Sequence, residues 1–206
     1  MERVNTALRR LPTGVVWIAA FVPMAWLVWL AAAGDLGPDP VKALEHGLGE
    51  WGLRLLLASL AVTPLMRLGL RLLRFRRALG VAGFAYVVAH FAVWVGLDMG
   101  FRWGQVAQDL VKRPYIVVGL AGLLLLVPLA VTSTDGWLRR LGTASWRRLH
   151  RLAYPAILLG AVHFVMIGKV LTVESLVHLG IALALLAVRL VPKRAQSRRL
   201  GPSTPV

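Results

Sequence analysis

The chain has 206 residues, no cysteine and a formal net charge of +15, and 58% of its residues are hydrophobic. The lack of cysteine excludes disulfides, thiolate zinc sites, cysteine-ligated iron–sulfur clusters and covalently attached haem. The apolar residues form runs that are too many and too long for the core of one soluble domain, so the composition predicts an integral membrane protein.

The long apolar runs predict an all-α fold, a bundle of six transmembrane helices. A spanning helix needs about 20 mainly apolar residues, and six stretches reach or approach that length. In chain order they are Gly14–Ala33, Trp51–Met66, Ala78–Leu97, Tyr115–Val131, Leu149–Gly168 and Ser175–Val191. Residues 1–13 then form an N-terminal segment, residues 14–191 the six-span domain, and residues 192–206 a basic tail that we expect to be disordered.

The positive charge is concentrated in every second segment outside the predicted spans: the N-terminal segment, the second and fourth loops and the C-terminal tail. The first, third and fifth loops mix acidic and basic residues. The basic groups are Arg3, Arg9 and Arg10; Arg67, Arg71, Arg74, Arg76 and Arg77; Arg139, Arg140, Arg147 and Arg148; and Lys193, Arg194, Arg198 and Arg199. By the positive-inside rule this alternation predicts that both termini are cytoplasmic. Topology and contact with anionic lipid head groups account for the net charge, so we expect no nucleic-acid partner.

Two histidines lie deep within predicted spans. His90 lies 12 residues into span three and His163 lies 14 residues into span five, which start on the same side of the membrane. At about 1.5 Å per residue their depths differ by only about 3 Å. Intramembrane ionisable residues are costly and usually functional, and neutral histidine ligates haem iron. The pair is therefore predicted to ligate one haem, the alternative being a hydrogen bond from each to a neighbouring helix; for His46 and His178 a structural role is favoured.

His150 is a third candidate, at the cytoplasmic end of span five. It precedes His163 by 13 residues, or about 20 Å along a helix, which is a haem-stacking distance. At the matching depth of span three the chain has Arg76 and Arg77 instead of a second histidine. Two alternatives therefore stay open for His150: ligand of a second haem, or contact to an anionic group such as a haem propionate or a flavin phosphate.

Short stretches spread from Trp26 to about Arg189 carry a family resemblance. They are Gly37-Pro-Asp-Pro-Val-Lys42, Thr63-Pro-Leu65, Arg77-Ala-Leu-Gly80, His90, Arg113-Pro-Tyr115, Thr132-Ser-Thr134, Leu141-Gly142, Trp146, Leu149-His150 and His163. Together they resemble the MsrQ family, haem-binding membrane subunits of a bacterial periplasmic methionine sulfoxide reductase system. That family belongs to the ferric-reductase-like transmembrane group, in which two spans each carry two histidines and hold two stacked haems. This chain matches the pattern on span five and departs from it on span three, where His90 stands alone.

The resemblance implies a multi-pass protein of the bacterial inner membrane that holds haem b and FMN. It implies that electrons from a cytoplasmic flavin reductase or the quinone pool pass outward to a molybdenum-containing periplasmic subunit, which reduces oxidised methionine in proteins. The chain itself would then have no substrate-reducing site. The basic loop that includes Arg76 and Arg77 is a candidate seat for the FMN phosphate, although topology alone also explains that loop.

Three other functions stay open at this stage. A quinone- or iron-reducing transmembrane cytochrome b would use the same histidines for a different acceptor. A transporter or proton path would also use intramembrane histidines, but such paths usually need carboxylates beside them. An anchoring subunit without a redox role would carry a haem that responds to no reductant.

Overall fold

The computed structural model describes residues 2–168 and 170–190, and within these ranges the chain forms nine α-helices and no β-strand. In chain order the helices are α1 (Glu2–Arg10), α2 (Thr13–Ala33), α3 (Pro40–Arg67), α4 (Arg76–Val93), α5 (Trp103–Lys112), α6 (Pro114–Val131), α7 (Asp135–Leu149), α8 (Ala153–Ile167) and α9 (Val173–Leu190). The predicted all-α class is confirmed. A π-helical turn, Trp94–Asp98, continues α4, and a 3₁₀ turn, His150–Leu152, joins α7 to α8.

Five helical runs of the described residues are long and apolar enough to cross a membrane. They are Thr13–Ala33, Pro40–Arg67, Leu73–Asp98, Pro114–Val131 and Asp135–Ile167. Each contains one of the first five predicted spans almost completely. The sixth predicted span, Ser175–Val191, corresponds to α9 as far as residue 190, whereas Val191 and the predicted tail, residues 192–206, lie outside the described residues. The six-span count and the cytoplasmic termini stay predictions.

Three predicted loops contain helices, which corrects the sequence interpretation. The loop predicted over Gly34–Glu50 is mostly the first part of α3, which begins at Pro40. Its start is explained by the Asp39 carboxylate, which accepts a hydrogen bond from the Lys42 backbone N–H at 3.1 Å, and by proline at the first helical position. The short helices α5 and α7 are amphipathic, so a search for uniformly apolar runs passes over them.

The interior of the bundle is built mainly by α3, α6, α8 and α9. The most extensive helix–helix contacts are between α3 and α4 and between α6 and α8. The largest buried cluster consists of Leu53, Leu56, Leu57, Leu60, Leu126, Leu129, Ala156, Ile157, Ala161 and Ala182. This cluster fixes α3, α6 and α8 around the space into which His90 and His163 project.

Helix α2 is joined to α4 by a tyrosine of α4 that hydrogen-bonds to two backbone groups of α2. The fully buried Tyr86 hydroxyl donates to the Ala20 carbonyl at 2.9 Å and accepts from the Met24 N–H at 2.6 Å. In a regular helix those two backbone groups would bond to each other. The opening adjoins Pro23, which removes a further N–H and bends the helix. Tyr86 therefore fixes α4 against α2 one turn before His90.

Candidate functional site

The structure brings His90 of α4 and His163 of α8 side by side. Their ring centroids are 6.2 Å apart and the ring planes make an angle of 78°. His90 belongs to α4 and His163 to α8, and both of these helices pack against α3 and α6. The pairing of the two rings therefore depends on the packing of four helices. The sequence prediction that they lie at one depth agrees with this arrangement.

Each of the two rings is held by a backbone carbonyl through the same nitrogen. His90 Nδ1 lies 2.8 Å from the Glu45 carbonyl oxygen, and His163 Nδ1 lies 2.6 Å from the Tyr115 carbonyl oxygen. A carbonyl only accepts hydrogen bonds, so each Nδ1 is the protonated nitrogen that donates. The Nε2 of each neutral ring then keeps a free lone pair, which is the tautomer that a metal ligand needs.

A cavity of about 400 Å³ adjoins both rings, lined by α3, α4, α5, α6 and α8. Along α3 the lining changes from polar at Lys42, Glu45, His46 and Glu50 to apolar at Leu53 and Leu56. The remaining lining includes Val87, Phe91, Trp94, Leu123, Leu126, Ala156, Gly160 and Phe164. A mainly apolar cavity with a few polar groups at one end is typical of a cofactor pocket, and its volume falls within the usual range of about 300–1,000 Å³.

These features fit haem held between two axial histidines. An imidazole nitrogen binds a transition metal at about 2 Å, so two rings on opposite sides of one ion have centroids about 6 Å apart. The observed 6.2 Å agrees with that separation. Within the described ranges no three His, Asp or Glu side chains form a group that could hold a metal ion. Two ligands suffice for haem, because the porphyrin supplies the equatorial nitrogens.

A network of ion pairs surrounds the polar end of the cavity. Lys42 Nζ lies 3.1 Å from a Glu45 carboxylate oxygen and 2.7 Å from Asp98, so it joins the start of α3 to the π-helical turn after α4. Arg54 pairs with Glu50 and, at 2.9 Å, with Glu174 at the start of α9. These contacts fix the helix ends that carry the Glu45 carbonyl.

Arg113 closes the same end of the cavity from the α5–α6 connection. Its guanidinium donates to the Tyr115 hydroxyl at 3.3 Å and lies 3.4 Å from a carboxylate oxygen of the buried Asp109. The hydrogen bond to Tyr115 and the nearby acidic charge raise the pKa of Arg113 above its usual value. Arg113 therefore places a positive charge at the polar end of the cavity.

His150 lies away from this cavity, between α7 and α8. Its ring stacks on Trp146 at a centroid distance of 3.8 Å, and its Nε2 lies 3.0 Å from the Thr132 hydroxyl oxygen. The Thr132 hydroxyl donates to the Pro128 carbonyl at 2.6 Å, so the hydrogen bond between Thr132 and His150 must be donated by His150 Nε2. In this arrangement Nε2 is not free to bind a metal.

Arg76 and Arg77, the other predicted site residues, lie outside the lining of the cavity beside His90 and His163. Arg76, at the start of α4, lies close enough to His150 for their charges to interact, and Arg77 pairs with Asp135 of α7 at 3.1 Å. His178 Nδ1 lies 2.8 Å from a carbonyl oxygen of its own helix, which fits the structural role expected for it. His46 is exposed but lines the polar end of the cavity.

Sequence reasoning missed the carbonyl groups that orient the two histidines. Glu45 lies in the segment between the first two predicted spans, and Tyr115 enters the sequence analysis as the start of a span and as part of the stretch Arg113-Pro-Tyr115. Backbone acceptors leave no residue-type signature, so only the fold identifies them. The nearest sequence signals are the helix starts at Pro40 and Pro114, which set the register of α3 and α6.

Comparison with known proteins gives one family and a set of close relatives. Residues 48–161 match the family model of the ferric reductase like transmembrane component. The relatives include heme-binding subunits MsrQ of protein-methionine-sulfoxide reductase from Caulobacter vibrioides, 45% identical over 92% of this chain and 91% of the relative, and from Rhodospirillum rubrum, 50% identical over 93% of each. A third, from Brucella anthropi, is 45% identical over 90% of this chain and 84% of the relative.

Proposed function

The chain belongs to the ferric-reductase-like transmembrane family and, within it, to the MsrQ heme-binding subunits, and we propose that it is the haem b-binding, electron-transferring membrane subunit of a protein-methionine-sulfoxide reductase. The observation that carries the proposal is the His90–His163 pair, with ring centroids 6.2 Å apart and both Nδ1 atoms bound to carbonyls. Haem bound there would accept and release electrons one at a time across the membrane. The chain has no substrate-reducing site in this proposal.

In this proposal His90 and His163 would hold the haem iron through their Nε2 atoms. Their Nδ1 hydrogen bonds fix the ring orientations and raise the basicity of Nε2. The apolar walls, among them Phe91, Leu126 and Phe164, keep water from the macrocycle and so favour electron transfer over side reactions. Gly160, beside His163, leaves room for a flat group close to the α8 backbone.

We place six spans in the bacterial inner membrane, with α9 as the sixth and both termini in the cytoplasm. The basic loops support this orientation through the positive-inside rule. The polar end of the cavity, from Lys42 to Glu50, then faces the periplasm. The haem lies in the outer half of the membrane, so electrons leave on the periplasmic side.

We assign the partner as a periplasmic, molybdenum-containing catalytic subunit, which docks on the segments Gly34–Glu50 and Asp98–Pro114. Exposed aromatic side chains support that surface: Phe101 is 62% and Trp103 is 64% exposed. Phe101 also has a left-handed backbone, with φ of 56°, which is strained for a bulky residue and typical of functional loops. Aromatic residues of this kind often anchor protein contacts.

On the cytoplasmic side we assign FMN, with its phosphate beside Arg76 and Arg77, and a flavin reductase or the quinone pool as the electron donor. Charge-assisted hydrogen bonds from arginine suit a phosphate. His150 lies near Arg76, so we assign it to this second cofactor region rather than to the haem cavity. The Thr132 contact of His150 Nε2 supports a contact role over ligation of a second haem.

The direction of electron flow is tested by reoxidation of the reduced protein. Vesicles with the purified chain are supplied with electrons from the cytoplasmic side, and haem absorbance is followed after mixing with the catalytic subunit, methionine sulfoxide, or both. Reduction of the sulfoxide consumes two electrons and two protons and yields methionine and water. We expect fast reoxidation only with both components present. Reoxidation by a cytoplasmic-side acceptor alone would contradict the proposal and favour a quinone- or iron-reducing cytochrome b.

A further inference from the structure

The two histidine-anchoring carbonyls share one feature, a glycine four residues further along the helix. Glu45 is followed by Gly49 in α3, and Tyr115 is followed by Gly119 in α6. In an α-helix the carbonyl of the earlier residue accepts the N–H of the later one. Each carbonyl therefore serves two donors, the glycine N–H within its helix and the histidine Nδ1–H from another helix, which its two lone pairs allow.

Both glycines lie directly against the imidazole rings. A Cβ atom added at Gly49 would lie 2.9 Å from His90 Nδ1 and 3.2 Å from His90 Cε1. A Cβ atom added at Gly119 would lie 2.8 Å from both Nδ1 and Cε1 of His163. The obstructing atoms belong to rigid rings that are already fixed by a hydrogen bond, so neither ring can give way without leaving its carbonyl.

Other close glycines of the bundle differ in what they contact. A Cβ atom at Gly47, in α3, would lie 3.0 Å from a terminal methyl group of Leu27, which belongs to a flexible aliphatic side chain outside the cavity lining. A Cβ atom at Gly80, in α4, would make its nearest contact at 3.2 Å, with the Ser59 hydroxyl oxygen. Glycine in the interior of a helix is destabilising relative to alanine. Helix stability therefore does not explain why glycine occupies the two positions that contact the imidazole rings.

We propose that Gly49 and Gly119 are positioning residues for the haem site. Because glycine has no side chain, each leaves space beside its helix for one imidazole ring, which can then donate its Nδ1–H to a backbone carbonyl. The proposal rests on the proposed function, because it takes His90 and His163 as haem ligands. An Nδ1–H that donates to a carbonyl makes Nε2 a more basic ligand, and a more basic ligand stabilises ferric over ferrous iron.

The variants Gly49→Ala and Gly119→Ala test this inference, with Gly47→Ala and Gly80→Ala, which lie outside the cavity lining, as controls. Each variant is purified in detergent, its haem is quantified, and its midpoint potential and ferric electron paramagnetic resonance spectrum are measured. Loss of an outer-shell partner of a metal ligand typically costs about 10- to 100-fold in affinity. The hydrogen bond stabilises the ferric state more than the ferrous state, and a tenfold loss of that preference raises a one-electron potential by about 59 mV. We therefore expect an upward shift on the order of 59 mV in both test variants.

The controls separate positioning from packing. Gly47→Ala and Gly80→Ala should keep the wild-type potential and g values. If Gly49→Ala and Gly119→Ala also bind haem with unchanged potential and g values, or if Gly47→Ala shifts them equally, the inference is wrong. The two test sites lie on different helices, so either variant carries the test if the other does not accumulate. Failure of the haem assignment itself would appear separately, as full haem retention in His90→Ala or His163→Ala.

Discussion

Replacing Tyr86 by phenylalanine should loosen the contact between α2 and α4 while leaving the packing almost unchanged. The substitution removes one oxygen atom from a side chain with no exposed surface. That oxygen makes two hydrogen bonds, to the Ala20 carbonyl at 2.9 Å and from the Met24 N–H at 2.6 Å. Both backbone groups would lose their partner, and they can pair with each other only if α2 straightens beside Pro23.

The expected cost follows from those two bonds. A net protein hydrogen bond contributes about 0.5–1.5 kcal/mol, and side-chain bonds between membrane helices average about 0.6 kcal/mol with a maximum of about 1.7 kcal/mol. Two bonds therefore give a loss of about 1–3 kcal/mol in the free energy of unfolding. The ring stays in place against Phe21, whose ring centroid is 6.2 Å away. The substitution therefore leaves no cavity, and the additional loss of stability that a large-to-alanine substitution causes does not arise.

The assay is reversible unfolding of the purified protein in mixed detergent micelles, followed by helix content. Tyr154→Phe is the control, because the Tyr154 ring packs against the core cluster and lies under the Arg189 guanidinium, 5.0 Å from the ring centroid. Among the described residues its hydroxyl makes no hydrogen bond of the kind that Tyr86 makes. Tyr154→Phe should change the free energy of unfolding by much less than Tyr86→Phe. A Tyr86→Phe loss below about 0.5 kcal/mol, the lower bound for one hydrogen bond, would refute the bridging role of the hydroxyl.

Three further predictions concern the cofactors and the partner. His150→Ala should keep the haem held by the paired histidines, because its ring lies outside their cavity; complete haem loss, measured optically, would contradict this. Arg76→Ala with Arg77→Ala should lower FMN occupancy, measured by flavin fluorescence after denaturation, with haem content unchanged; unchanged FMN would rule out that phosphate site. Charge reversal at the exposed residues Asp35 and Lys112 should slow haem reoxidation by the catalytic subunit without altering the haem spectrum, and unchanged stopped-flow rates would remove these segments from the docking surface.

The five long apolar helices and the proximity of His90 to His163 were predictable because they depend on strong, local physical requirements. A long apolar helix satisfies its own backbone polar groups and can therefore cross a membrane core. An ionisable residue within such a helix needs a functional or structural partner. Counting residues from the basic ends of spans three and five was enough to put His90 and His163 at one depth. Their lateral proximity required the fold, because depth does not fix which helices are neighbours.

What the sequence did not reveal depends on contacts between distant backbone atoms. The first turns of α3 carry Lys42, Glu45 and Glu50, so their mixed composition resembled a loop. The capping contact from Asp39 to Lys42 and the ion pair between Lys42 and Asp98 make that segment helical and fix it beside α4. The carbonyl of Glu45 became a ligand-orienting group only through this placement.

Haem content and the reduced-minus-oxidised optical spectrum of the purified chain test the central proposal most directly. They are measured for the wild type, His90→Ala and His163→Ala, with His178→Ala, which lies outside the cavity lining, as the control histidine. We expect a low-spin b-type haem in the wild type and in His178→Ala. We expect that signal to be lost in both ligand variants, while the chain remains inserted in the membrane. Full haem with an unchanged low-spin spectrum in either His90→Ala or His163→Ala would contradict the proposal that these two residues hold the haem between them.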